Sequence, residues 1–213
     1  MRRPRLIAEQ ACNAKGILGR LVAFIMAHET REANRSAIAS LNVAITDQVL
    51  DIGCGPGHAL QMLATKAREG LVAGVDPSEL MADIAVQRNA AAVRAGRVRV
   101  AIAPVEHLPF AASSFDKILC VHAIYFWQDL HAAFAEIARV AKPGGVLMLL
   151  FRDAEDKAAV NAFPSEVYRF PEIASVVAAL RDLGFDAEAG SAAVRSAPSS
   201  LQPRLIVAER RAL

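Results

Sequence analysis

The segment from Gln48 to Gly57 constrains the fold more than any other part of the chain. It reads QVLDIGCGPG, an apolar run interrupted by one aspartate and closed by glycines at alternate positions, after which helical patterning resumes over His58 to Arg68. Strand, glycine turn and helix in direct succession open a βαβ unit, in which the turn lets a ligand approach the backbone and the helix start offers it unpaired N–H groups. The pattern then repeats. Leu71 to Val75 is a second apolar run that stops at Asp76-Pro77-Ser78, and Ser78 with Glu79 can open a helix running to about Ala95. Val98 to Ala103 and Phe115 to His122 read as the third and fourth strands, Leu130 to Ala141 as a helix ended by Lys142-Pro143-Gly144-Gly145, and Val146 to Phe151 as the fifth strand. Near-continuous apolar strands alternating with helices require a parallel sheet covered on both faces.

The flanks complete this α/β frame. Before the first strand, Leu18, Leu21, Val22, Ile25 and Met26 fall at helical spacing and a second stretch covers Ala33 to Leu41, so two helices are expected within residues 1–45. After Phe151 the chain is polar and punctuated by prolines as far as Pro171, then helical from Glu172 to Leu183 with Gly184 as the stop. Phe185 to about Ser196 and Arg204 to Arg210, separated by Pro198-Ser199-Ser200, suit a closing antiparallel hairpin. The reading is one domain over 1–213, with the sheet in 46–213.

Composition narrows the function classes. The apolar fraction is 54%, yet pure apolar runs such as Val146 to Phe151 are far too short to span a bilayer. With a net charge of only +2 and scattered basic residues, the chain lacks the basic face of a nucleic-acid binder, which leaves a small, largely uncharged substrate. The N-terminal MRRPRLIAEQ lacks the apolar stretch of a secretory signal, and Cys12, Cys54 and Cys120 have neither disulfide nor zinc spacing; a cytoplasmic chain with reduced thiols and no metal is expected.

The glycine turn narrows the ligand. A dinucleotide site would read GxGxxG, whereas Gly53, Gly55 and Gly57 give GxGxG. Asp51 stands inside the first strand, where a buried carboxylate needs a cationic or hydrogen-bond-donating partner. Asp76 ends the second strand, about 20 residues past the turn, where a carboxylate accepts both hydroxyls of a ribose. Together they point to an adenosine-containing ligand.

These segments resemble the class I S-adenosylmethionine-dependent methyltransferases, and within them the small-molecule branch (methyltransferase type 11) that includes quinone-biosynthesis C-methyltransferases. The resemblance is carried by VLDIGCGPG at 49–57, GVDPSELM at 74–81, VEHLPFAASSFDKILCVHAIYFW at 105–127 and RVAKPGGVLMLLF at 139–151, and it extends to GFDAEAG and LIVAERR near the end. It implies a Rossmann-like, doubly wound, seven-stranded, mostly parallel sheet in the order 3-2-1-4-5-7-6. It also implies that Asp51, Gly53 and Gly55 hold the methionine part of S-adenosylmethionine, Asp76 the ribose, and Pro77 and Met81 the adenine. The family commonly carries an acid two positions before the one matching Glu106; here Pro104 stands there, leaving Val105 through its N–H and Glu106 through its carboxylate to recognise the adenine edge. The N-terminal helices would build the acceptor pocket, with Arg20, Met26 and Arg31 as candidates to face it.

Methyl transfer from a sulfonium needs chiefly an in-line approach, and placement alone supplies about 7–11 kcal/mol. His122, at the carboxyl end of the fourth strand, is the candidate general base; the competing reading is that it only shapes the pocket. His58 either touches the cofactor carboxylate or is merely exposed, and Tyr125, Phe126 and Trp127 form either an aromatic wall or plain core. The alternatives to a methyltransferase are a non-catalytic binding member of the fold and, less well supported, an NAD(P)-dependent oxidoreductase.

Overall fold

Four of the first five strands are followed by a turn and an α-helix, and this rhythm builds the sheet. The computed structural model describes residues 3–191 and 203–212. The strands are β1 (Gln48–Ile52), β2 (Leu71–Asp76), β3 (Val98–Ile102), β4 (Phe115–Val121), β5 (Ala141–Phe151), β6 (Phe185–Ser191) and β7 (Arg204–Arg210). They form one seven-stranded sheet in the order β3-β2-β1-β4-β5-β7-β6, parallel except where β7 runs antiparallel to β5 and β6. This is the expected doubly wound order.

Alternation along the strands divides the core. Leu50 and Ile52 of β1, Ile118 and Cys120 of β4, and Leu147 and Leu149 of β5 face α7 (Leu130–Val140) and α9 (Ile173–Asp182), meeting Phe134, Ile137, Val176 and Leu180. Val49, Val72, Leu119, Met148 and Leu150 face the other way, against Leu60 and Leu63 of α4 (His58–Lys66), Ala85 of α5 (Glu79–Arg88), and three residues before β1, Ala37, Ile38 and Leu41. Burial of a Leu, Ile or Phe side chain is worth about 1.5–3 kcal/mol, so both helical layers are held mainly by this apolar contact.

Four local features differ from the sequence expectation. Three helices, not two, precede β1: α1 (Arg5–Cys12), α2 (Gly16–Glu29) and α3 (Arg31–Ser40). The helix expected to run to about Ala95 breaks at Asn89, giving α5 and α6 (Ala90–Arg94), because the Asn89 amide donates to the carbonyls of Gly57 and Ala85 at 3.0 and 2.9 Å. Ser78 does open α5, accepting the Met81 N–H. The third difference is in β5, which begins at Ala141, with Lys142 to Gly145 forming an irregularity opposite Phe115 and Lys117. Lys142 pairs there with Asp116 at 2.7 Å. Fourth, the polar segment after β5 contains α8 (Lys157–Ala162), capped by Asp156. The expected extension of β6 beyond Ser191 to about Ser196 and the Pro198-Ser199-Ser200 stretch lie outside the described residues. Among the described residues no helix is long and apolar enough to cross a membrane.

Candidate active site

β1 lies between β2 and β4, so the turns leaving these three strands meet at one edge of the sheet. After β1, Gly53, Gly55 and Gly57 have φ of +70°, +50° and +77°. Their left-handed backbone lets the Gly53 and Cys54 N–H groups share the Val75 carbonyl of β2, at 2.8 and 3.1 Å. Gly53 is also pressed against the segment after β4: a Cβ there would lie 2.4 Å from the Cβ of Ala123. Gly53→Ala is expected to cost at least about 1–2 kcal/mol from backbone conformation alone. Thermal melting should show a midpoint several degrees lower, and an unchanged midpoint would show that the turn does not depend on this glycine.

Asp76, 8% exposed, holds the turn from the β2 side. One carboxylate oxygen accepts the Gly55 N–H and the other the Ser78 N–H, both at 2.9 Å. Burial raises the Asp76 pKa and those two N–H bonds oppose the rise. Ser78 reaches further, its hydroxyl donating to the Ala14 carbonyl at 2.8 Å and so docking the α1–α2 connection on the site.

Asp51 is paired in register with Gly74 of β2 and Leu119 of β4 and is 3% exposed. Its Oδ2 is the one buried side-chain oxygen without a hydrogen-bond partner among the described residues. Desolvation, followed by the charge of Asp76, pushes its pKa up to about 7. A buried acceptor left unmatched costs about 1–3 kcal/mol, more if charged, so this carboxyl is poised for a donor or cation that the protein does not supply.

These groups line a cavity of about 300 Å³. Asp51, Gly53, Gly55, Asp76, Pro77, Met81, Val105, Glu106 and His122 all border it, as does Pro104. Glu106 is already engaged, because its Oε1 accepts the N–H groups of Gln128 and Asp129 at 2.8 and 3.4 Å. His58 lies against Arg88, its Nδ1 2.9 Å from the guanidinium, and burial followed by the charge of Arg88 lowers its pKa. Met26 borders the cavity as expected; Arg20 and Arg31 are exposed and do not.

His122 follows β4 with φ of +57° and presents Nδ1 to Tyr125 Oη at 2.9 Å. Burial, and after it the charge of Arg152, pulls its pKa down to about 4. The aromatic run after it divides. Phe126 and Trp127 border the cavity, while Tyr125 sits in the core beside Tyr168 and Phe170, with ring centroids 5.7 and 5.1 Å away.

Several cavity residues carry no signal in the sequence: Cys12 at the end of α1, Asn13 and Ala14 just after it, and Ala27, Thr30 and Asn34 on or beside α2 and α3. The segments that carry them are placed by tertiary contacts and not by any motif: Ser78 holds Ala14, Ala23 of α2 packs with Met81, and Ala37 and Ile38 of α3 pack in the core. Among the described residues no three His, Cys, Asp or Glu side chains converge as a metal site requires.

This arrangement has close counterparts in known proteins. The family model described as "Methyltransferase domain" matches residues 50–149. An uncharacterised methyltransferase of Bacillus subtilis, YdaC, is 30% identical over 152 residues, covering 71% of this chain and 76% of that protein. The chain belongs to the methyltransferase family. Other relatives share a smaller part: the ubiquinone/menaquinone biosynthesis C-methyltransferase UbiE of Geotalea daltonii is 34% identical over 121 residues, covering 56% of this methyltransferase and 52% of UbiE. The methyltransferase thus spans about half the length of that relative. A solved Haloferax volcanii methyltransferase, in complex with the Trm112 activator, shares the fold at a TM-score of 0.77 with 23% identity, covering 97% of this chain and 98% of that one.

Proposed function

We propose that the chain transfers a methyl group from S-adenosylmethionine to a small, largely uncharged acceptor by in-line displacement. The observation that carries this reading is the unmatched, buried Oδ2 of Asp51 beside the glycine turn. S-Adenosylmethionine brings an ammonium and a sulfonium, and cationic or donor groups are what such a carboxyl requires. A dinucleotide would instead bring a pyrophosphate against the same carboxyl, where like charges repel. The residues present therefore fit S-adenosylmethionine and oppose NAD(P).

In this reading Asp51, Gly53 and Gly55 hold the methionine part, Asp76 the ribose, and Pro77, Met81, Val105 and Glu106 the adenine side. Val105 and Met81 are buried there, and Pro104 shares their stretch of cavity wall. The bound cofactor supplies an electrophilic methyl group, so the protein's own task is to position the acceptor and exclude water. Met26, Ala27, Phe126 and Trp127 give that cavity an apolar wall suited to such an acceptor. Relatives named for C-methylation in ubiquinone and menaquinone biosynthesis support a small-molecule acceptor. The free thiols of Cys12, Cys54 and Cys120 support a cytoplasmic setting.

Calorimetric titration tests the assignment. S-Adenosylmethionine should bind with micromolar affinity and NADH should give no binding heat; silence with S-adenosylmethionine would overturn the reading.

A further inference from the structure

The ring of His122 is set by two hydrogen bonds in series. The backbone N–H of Arg152 donates to Tyr125 Oη at 2.7 Å, and Oη lies 2.9 Å from His122 Nδ1. Tyr125 is 4% exposed and wedged among Phe126, Tyr168 and Phe170, so the phenol has no freedom to turn toward solvent. A phenol has one proton to give. Its oxygen already accepts from Arg152, and among the described residues the only receiver for its own proton is His122 Nδ1. If Nδ1 carried the proton instead, the buried hydroxyl would be left with no acceptor, which native structures rarely tolerate. Nδ1 is therefore bare, and a neutral imidazole with a bare Nδ1 carries its proton on Nε2.

We propose that Tyr125 is a positioning residue that locks His122 as an Nε2–H donor, and that the cavity takes an acceptor bearing an enolate, phenolate or conjugated carbonyl oxygen to receive that hydrogen bond. The acceptor half rests on the methyltransferase reading above; the tautomer does not. A general base at Nε2 would first require the proton to move to Nδ1, breaking the hydrogen bond that Tyr125 donates.

The remaining groups of the cavity support the same assignment. Asp51 and Asp76 are committed to the cofactor in the reading above, burial raises the pKa of the Cys12 thiol, His58 is occupied with Arg88, and Glu106 already receives two backbone N–H groups. Burial, and after it the charge of Arg152, disfavours protonation of the imidazole. With no base left over for the acceptor, the cavity suits an otherwise uncharged molecule whose one reactive oxygen is already ionised, or that readily enolises, and needs that oxygen held. A donor at the end of β4 performs that role without titrating in the neutral range.

The test is ¹⁵N NMR of the full chain labelled at histidine, with the His122 signals assigned by their loss in His122→Gln. The expected spectrum shows an unprotonated Nδ1 and a protonated Nε2 from pH 5.5 to 8, without cofactor; in Tyr125→Phe both signals move toward the average of the two tautomers. A protonated Nδ1 in the wild type, or identical signals in the folded Tyr125→Phe variant, overturns the lock. For the acceptor half, millimolar 4-nitrophenolate at pH 8 should shift the Nε2 signal and nitrobenzene should not. No shift with the phenolate, or equal shifts with both, overturns that half. A silent titration with S-adenosylmethionine would overturn the functional reading while leaving the tautomer as measured.

Discussion

Asp76→Ala is expected to weaken S-adenosylmethionine binding by a factor of about 100 or more, equivalent to roughly 2.7 kcal/mol. Two losses combine. The first is direct, because hydrogen bonds from the ribose hydroxyls to a carboxylate are worth about 1.5–3 kcal/mol each. The second is structural. In the free protein each Asp76 oxygen already receives one backbone N–H, from Gly55 and from Ser78. Removing the carboxylate strands both donors and releases the glycine turn from the end of β2, while Ser78 is also the residue that ties the α1–α2 connection to the site. Asp76→Asn keeps one oxygen but turns an amide N–H toward a backbone N–H, so its affinity should fall between those of the wild type and the alanine variant. Calorimetry gives the affinities, and a thermal melt separates turn release from unfolding. Binding retained by the folded Asp76→Ala variant would remove Asp76 from the site.

The same residues show why so much of this site was legible in the sequence and where legibility stopped. Gly53, Gly55 and Asp76 could be found because turn chemistry and strand ends are local: left-handed φ values and a carboxylate at the close of a strand follow from adjacent residues. The sheet order was legible through the resemblance, and the apolar runs already required strands buried on both faces. Contacts between segments distant in the chain were not. Asn89 inside a helical pattern reads as a neutral surface residue, yet it breaks the helix to hold the Gly57 carbonyl. Glu106 reads as a free carboxylate facing the adenine, and it is partly consumed by the Gln128 and Asp129 N–H groups. Tyr125 reads as core beside a catalytic candidate; only the Arg152 N–H, 27 residues away, reveals that its hydroxyl sets the neighbouring histidine. The third N-terminal helix is hidden for a related reason, since α1 has only eight residues and only Ala8 of them is buried.

Asp51→Asn is expected to do two opposite things, stabilising the free protein at pH 8 and weakening the cofactor. The carboxyl holds its proton up to about 7 when folded, against 3.8 for the free side chain. Between these pH values the folded chain binds more protons than the unfolded one, so stability falls as pH rises, by on the order of 4 kcal/mol in total, and levels off above the folded value. Asparagine never ionises and escapes that loss, but its buried amide needs partners of its own, at a cost of about 1–3 kcal/mol. The net gain at pH 8 should be on the order of 2 kcal/mol, or several degrees in Tm, and should reverse to a loss of similar size near pH 4, where the wild type still holds its proton and the amide cost remains. Binding behaves in reverse. An ammonium or sulfonium beside Asp51 favours the ionised carboxylate, so wild-type affinity should rise as pH increases toward about 7 and then level off, with a proton released on binding below that pH. Titration in buffers of different ionisation enthalpy measures that proton directly. In Asp51→Asn the affinity should drop and the part of the pH dependence due to Asp51 should disappear. A wild-type affinity that is flat from pH 5.5 to 8, with no proton released, would mean that Asp51 does not face the positive charge of the cofactor. The cost this carboxylate imposes on the empty fold would then lack the compensation that binding is expected to provide.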